Sequence, residues 1–329
     1  MEVSQRNYSI DVLRLICSFM VITLHFPLSG FWGDEFKNIA RAAVPVFFMI
    51  SGYFTYDNNS EIFKLRIIRQ LKHIVSITIG AIIFYLVFNI VIKTIDGESV
   101  WKYIMSLFDV KHLMQTVFLN TSFLSAHLWF LYALICVMIF IYFVHKYRFL
   151  DKVYIFIPML MIMNLVLGCY SGFIFNRKFM PDIVRNCWLT GIPYYLIGIY
   201  IRTHKLPKLN SFFLTALIAG FCFSTVIETM FITKFEHITY FEHFISTIGL
   251  SISLFLMAVN NPGNSNLLST AGRRYSFYIY ILQMALGYII LRLYPGCPYL
   301  SVDIFLVGLI IAIPVSFFCD RIRKKCKVP

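Results

Sequence analysis

The sequence predicts an all-α, polytopic integral membrane protein with about ten transmembrane helices and both termini in the cytosol. Three observations carry that expectation. Of 329 residues, 59% are hydrophobic and only 14% charged, with a mean hydropathy of +0.75, far from the usage of a soluble domain. Apolar stretches of spanning length recur along the chain, and about 20 such residues cross a bilayer. Lys and Arg also alternate between rich and poor loops, as membrane orientation demands.

The expected spans cover 8–28, 42–56, 74–92, 127–144, 153–170, 189–201, 212–232, 244–259, 276–293 and 302–318. The first lacks a basic region followed by a cleavage site, so it is expected to stay as a helix rather than leave as a signal peptide. The second and sixth are short and contain Pro45 and Pro193, which marks them as broken or tilted and packed inside protein. The segment 93–126 reads as an amphipathic cap. No repeat and no long loop separates a further domain, so 1–329 is expected to form a single transmembrane domain without an appended soluble one.

One set of alternate loops holds eighteen Lys and Arg, including Lys64, Arg66, Arg69, Lys72 and the basic tail at 321–327, against ten in the other set. The richer set is expected to face the cytosol. The net charge of +13 therefore reads as topology rather than nucleic-acid binding, because no RNA-binding signature or stacking platform accompanies it. The eight cysteines form no CxxC pair and no metal spacing, so neither a disulfide framework nor a metal site is expected.

Arg14 and His25 interrupt the first span, and ionisable groups inside a membrane are candidates for function. Eleven residues at about 100° each return to within about 20° of the starting face, about 16 Å further along the axis. Asp11 and Ser18 flank Arg14 at i−3 and i+4. The result is a polar stripe running from the cytosolic side toward the outer half. Taken singly, each residue also has a structural role open to it: an Asp11–Arg14 pair at the helix end, a snorkelling arginine, or a histidine bonded to a neighbouring helix.

Arg14 with His25, followed by "RAAVPVFFMISGYF" at 41–54, resembles the acyltransferase-3 family of membrane acyltransferases. Its first helix carries Arg/Lys-x10-His and its second V-P-x-F-F-x-x-S-G-[FY]. "RIIRQL" (66–71), "HLWFLYALI" (127–135), "VRNCWLTGIPYYLIGIYI" (184–201) and "RRYSFYIYILQ" (273–283) follow in the family's order. One departure is Gln283, where many members have histidine. The resemblance implies O-acetyl transfer from cytosolic acetyl-CoA, as co-substrate, to a hydroxyl of a cell-envelope polysaccharide or glycolipid such as an O-antigen. It also implies residence in the bacterial cytoplasmic (inner) membrane.

On that implication His25 is the general base or a transient acyl carrier, and Arg14, oriented by Asp11, holds the CoA arm or diphosphate. Arg66 and Arg69, with Lys72, are expected in a cytosolic loop, binding CoA phosphates or setting topology against anionic lipid; both remain open. Ser51, beside Gly52, either borders the donor site or lets helices approach. Arg41, expected at the outer end of its helix, with His127 and Trp129, would position the acceptor, although a loop charge and an interface tryptophan have ordinary roles too. Glu228 is left without a role. The competing function is a transporter or flippase that uses the same stripe as a pathway for a small solute or lipid-linked sugar.

Overall fold

In the computed structural model, which describes residues 6–177, 179–204, 206–233 and 242–325, every regular element is helical. Lys178, Lys205, Lys234, Lys327 and Cys326 lie outside the described residues, as do the side chains of Cys319, Arg323, Lys324 and Lys325. The chain runs through α1 (Tyr8–His25), α2 (Phe31–Ala40), α3 (Ala43–Thr55), α4 (Ser60–Ile95), α5 (Val100–Leu107), α6 (Val110–Leu119), α7 (Trp129–Lys146) and α8 (Leu150–Val153). It continues through α9 (Phe156–Leu167), α10 (Ser171–Phe175), α11 (Ile192–Thr203), α12 (Ser211–Ile232), α13 (Ile245–Asn260), α14 (Leu267–Arg274), α15 (Ser276–Leu293) and α16 (Leu300–Lys325).

Among the described residues, seven helical segments are long and apolar enough to cross a membrane: those beginning at Tyr8, Ser60, Ala126, Leu150, Ser211, Ser276 and Leu300. The other three expected spans are helical but shorter, as α3, α11 and α13. α4 wears its apolar side outward. Ile79, Ile83, Val87 and Val91, one turn apart, are 52%, 57%, 55% and 48% exposed. A stripe of that kind belongs against lipid.

Two local expectations are corrected. Arg66, Arg69 and Lys72 are not in a loop, because α4 starts at Ser60, where the Asn59 side chain accepts from the Glu61 and Ile62 amides. At about 1.5 Å per residue this 36-residue helix exceeds a 30 Å core, so its basic first turns stand beyond the apolar part. Pro45 does not interrupt a helix, whereas Pro193 lies just after the π-helical turn Cys187–Gly191, where the sixth expected span is broken. Pro45 sits in the first turn of α3, where an amide hydrogen has no intrahelical partner to lose. α2 folds back along α1, turning at Gly30 (φ +78°), and sets Phe36 against Phe19, ring centroids 6.2 Å apart. Arg41 caps the far end of α2, eleven residues on from that turn.

The chain divides into two compact units. One contains residues up to Phe47, Lys208–Met230 and Ile245 onward; the other contains Phe48–Pro207 and Phe231–Phe244. In the first, α1 is central and touches α2, α13, α14, α15 and α16. Lipid tails are as apolar as leucine, so close backbone approach rather than apolar burial holds such helices together. A Cβ on Gly272 would lie 1.8 Å from the Asp11 carbonyl oxygen; only glycine lets α14 approach α1 so closely. Glu228 of α12 accepts from the Ile245 and Ser246 amides and the Ser246 hydroxyl, capping α13 from a neighbouring helix.

In the second unit α7 packs on α4, and α9 and α11 pack on a π-helical turn, Cys187–Gly191. Where this backbone leaves regular helix, side-chain amides replace the missing hydrogen bonds. Asn120 accepts from the Cys187 amide, Asn164 donates to the Val184 and Leu189 carbonyls, and Asn186 accepts from Trp188 and Leu189. α3 and α11 cross on two glycines: a Cβ on Gly52 would meet the Tyr195 carbonyl at 2.1 Å, and one on Gly198 the Met49 carbonyl at 2.1 Å.

Candidate functional site

The polar face of α1 is built as its helical period requires. Asp11 is 3% exposed, and its Oδ1 accepts from Arg14 Nη1 at 3.0 Å. Arg6, which sequence reasoning passed over, closes the other side: its Nε and Nη2 donate to Asp11 Oδ2 at 3.0 and 2.7 Å. A buried carboxylate held by two guanidinium groups is a fixed charge with no freedom to turn. The cluster keeps one net positive charge beside it. Ser18 is fully buried and donates to the Leu15 carbonyl. His25 is the last residue of α1 and is half-buried. The stripe thus runs the whole length of the helix, from the arginine cluster at one pole of the unit to the histidine near the other.

Arg273 and Arg274 end α14, immediately after the glycine that rests on Asp11, and both are exposed. They join Arg6 and Arg14 at the same pole. Arg6 and Arg14 both pair with Asp11. This pole suits a polyanion. Arg273 and Arg274 were visible in the sequence as part of a motif block, but nothing there set them beside Asp11.

The second unit gathers a different set of candidates. Arg66 donates to the Tyr56 carbonyl at 2.9 Å and pairs with Asp57 at 2.8 Å, so it staples the turn between α3 and α4. Arg69 projects from an exposed position and pairs with no carboxylate among the described residues. Lys146 and Arg202 share its pole: His145 contacts Ser60 at the start of α4, and Arg202 donates to Tyr53 and lies over its ring at 5.0 Å. Ser51 is half-buried in α3, its carbonyl accepting from Thr55. Thr55 in turn lies 2.6 Å from both Gln70 Oε1 and the Tyr195 hydroxyl. Toward the other pole His127 is 1% exposed, with Nδ1 2.9 Å from Ser125 Oγ and its ring edge-on to Tyr85. Trp129 starts α7 half-buried.

Asp11 and Arg14 are therefore joined directly and share a helix with His25. Arg41 belongs to the same unit, at the α2–α3 junction. Arg66, Arg69, Ser51, His127 and Trp129 belong to the other.

A family model described as an acyltransferase domain, that of the acyltransferase-3 proteins, matches residues 7–321. The chain belongs to the acyltransferase-3 family. It is a multi-pass membrane protein carrying an acyltransferase domain, as its motif order implied. A serine/alanine racemase of Enterococcus gallinarum is 31% identical over 139 residues, 40% of this chain and 18% of that protein. The chain thus spans less than a fifth of that relative's length. No solved structure matches it.

Proposed function

We propose that this acyltransferase is an O-acetyltransferase of the bacterial cytoplasmic membrane, moving acetyl from cytosolic acetyl-CoA to a hydroxyl of an envelope polysaccharide or glycolipid. The observation that carries the reading is the α1 stripe, with a doubly clamped Asp11 and Arg14 at one end and His25 at the other. A charged nucleotide end needs cations, and Arg6, Arg14, Arg273 and Arg274 supply them at one pole. The thioester is carried on a long, narrow arm, and the helix offers a face along which that arm can lie.

At the reacting end His25 takes the proton from the acceptor hydroxyl, whose oxygen bonds to the acyl carbon. The tetrahedral intermediate then collapses, the carbon–sulfur bond breaks, and the thiolate leaves with the proton that His25 carried. Histidine suits both halves because its ordinary pKa lies near neutrality. Arg41, His127 and Trp129 would belong to the acceptor side and Ser51 to the donor side.

Purified protein in detergent or proteoliposomes should release CoA from acetyl-CoA when given an acceptor. His25→Ala should lose at least 100-fold in rate while remaining folded in the membrane. Full activity in that variant would sink the assignment. Mass spectrometry of envelope glycans with and without the protein, looking for an added acetyl group, would identify the acceptor. A second reading, passage of a small solute such as an amino acid along the same stripe, draws on the similarity to a serine/alanine racemase. Uptake of labelled serine or alanine into proteoliposomes, with no release of CoA, would favour that reading instead.

A further inference from the structure

Gln283 is fully buried in α15, at 0% exposure, and neither Oε1 nor Nε2 of its carboxamide has a hydrogen-bond partner. A carboxamide can make four hydrogen bonds, and leaving all of them unmade in a dry interior costs free energy with no return in packing. A buried group of this kind needs an explanation, and a ligand is one.

Its position narrows which ligand. A Cβ on Gly272 would press on Asp11, and one on Gly287 would press on the Phe26 ring at 2.1 Å. The two glycines are fifteen positions apart, and so are Asp11, in α1, and Phe26, the residue that follows its end. The α14–α15 segment therefore runs parallel to α1 in a constant register, which sets Gln283 level with Ile22. Ile279 and Leu286, four before and three after Gln283, pack in one cluster with Leu15 and Ile22. At about 1.5 Å per residue Gln283 lies about 5 Å along the axis from His25 and about 12 Å from Arg14, between the two. Arg14 and His25 stand about 60–80° round α1 from Ile22, so the carboxamide borders the polar stripe.

We infer that Gln283 binds the acyl donor at its thioester end. Oε1 accepts the N–H of the donor-arm amide nearest sulfur, and Nε2 donates to the acyl carbonyl oxygen. That amide is two methylenes from sulfur, a spacing that matches the short axial step from His25 toward Arg14. The inference rests on the acyl-transfer reading above. Gln283 makes and breaks no covalent bond; its donor faces the oxygen on which negative charge grows as the hydroxyl adds, the place where a positioned N–H accelerates acyl transfer.

The test uses two minimal donors, the acetyl thioester of N-acetylcysteamine, which keeps the amide, and S-propyl thioacetate, which lacks it. Wild-type protein should favour the first by about tenfold or more in kcat/KM. Gln283→Met, close in volume, and Gln283→Leu should bring that ratio near one and lower kcat/KM for acetyl-CoA by about 100-fold. Their melting temperatures should be unchanged or raised, because an unmet polar group has been removed. An undiminished preference for the amide, a loss confined to acceptor KM, or a fall in melting temperature in both variants would each overturn the inference. If wild-type protein turns over no acetyl-CoA, the acyl-transfer reading itself fails; wild-type activity with equally active variants removes only the role of Gln283.

Discussion

Arg66 and Arg69 stand three residues apart on one helix, yet their surroundings separate them. Arg66 is committed to the Tyr56 carbonyl and Asp57, whereas Arg69 projects outward without a carboxylate among the described residues. Part-exposed pairs such as Arg66–Asp57 contribute at most about 1 kcal/mol, so the main effect of Arg66 is to order the α3–α4 turn. Arg66→Ala should lower the melting temperature by a few degrees and change KM for acetyl-CoA little. Arg69→Ala should do the reverse, with melting unchanged and KM raised about tenfold, as loss of one charged phosphate contact predicts. Initial rates and thermal melts on both variants decide it; a reversed pattern would exchange their roles. Sequence marked both arginines as candidates but could not tell them apart. The difference depends on Asp57, nine residues from Arg66, curling back through a turn whose shape no periodicity reports. Arg6 was missed for a similar reason, since it precedes the helix and reaches Asp11 from outside the 3.6-residue pattern.

Helices were legible where one face decides the outcome. The register of Asp11, Arg14, Ser18 and His25 on α1 follows from the helical period alone. The boundaries of α15 are those its apolar run predicts. The start of α4 is masked in the sequence by first turns rich in Lys and Arg, although Asn59 before Ser60 and Glu61 is a helix-cap signal. α2 could not be read as a helix folding back on α1, because that depends on Gly30 adopting a positive φ and on Phe36 finding Phe19. Long-range approach was equally hidden. Nothing in the local sequence shows that Gly272 must be bare because Asp11 lies over it. Gly272→Val should therefore push α14 off α1, destabilising the protein by about 1–3 kcal/mol, and should weaken the Arg6–Asp11–Arg14 arrangement. Gly220→Ala, inside α12 at a position with open space around it, is the control and should be neutral or slightly stabilising in thermal melts. Equal effects from the two would argue against the close crossing.

On the scale of the whole molecule, composition specified a membrane protein and motif order specified the family. The division into two units was not legible, because it depends on contacts between segments far apart in the chain. The expected orientation has a direct check: single cysteines at Phe31, in the first turn of α2, and at Ser60, the first residue of α4, should label from opposite sides of the membrane. Labelling of both from one side would exclude the expected topology. The packing of α1 also bears on the protein's birth. Asp11 waits for Gly272, which is added 261 residues later. At about 5–20 residues per second of synthesis, α1 spends roughly 13–50 s in the bilayer before the helix that covers its charged face exists. During that interval Arg6, only five residues away and already made, is the partner at hand for the Asp11 carboxylate. The short-range clamp is thus available from the moment the first helix emerges, long before its tertiary neighbours.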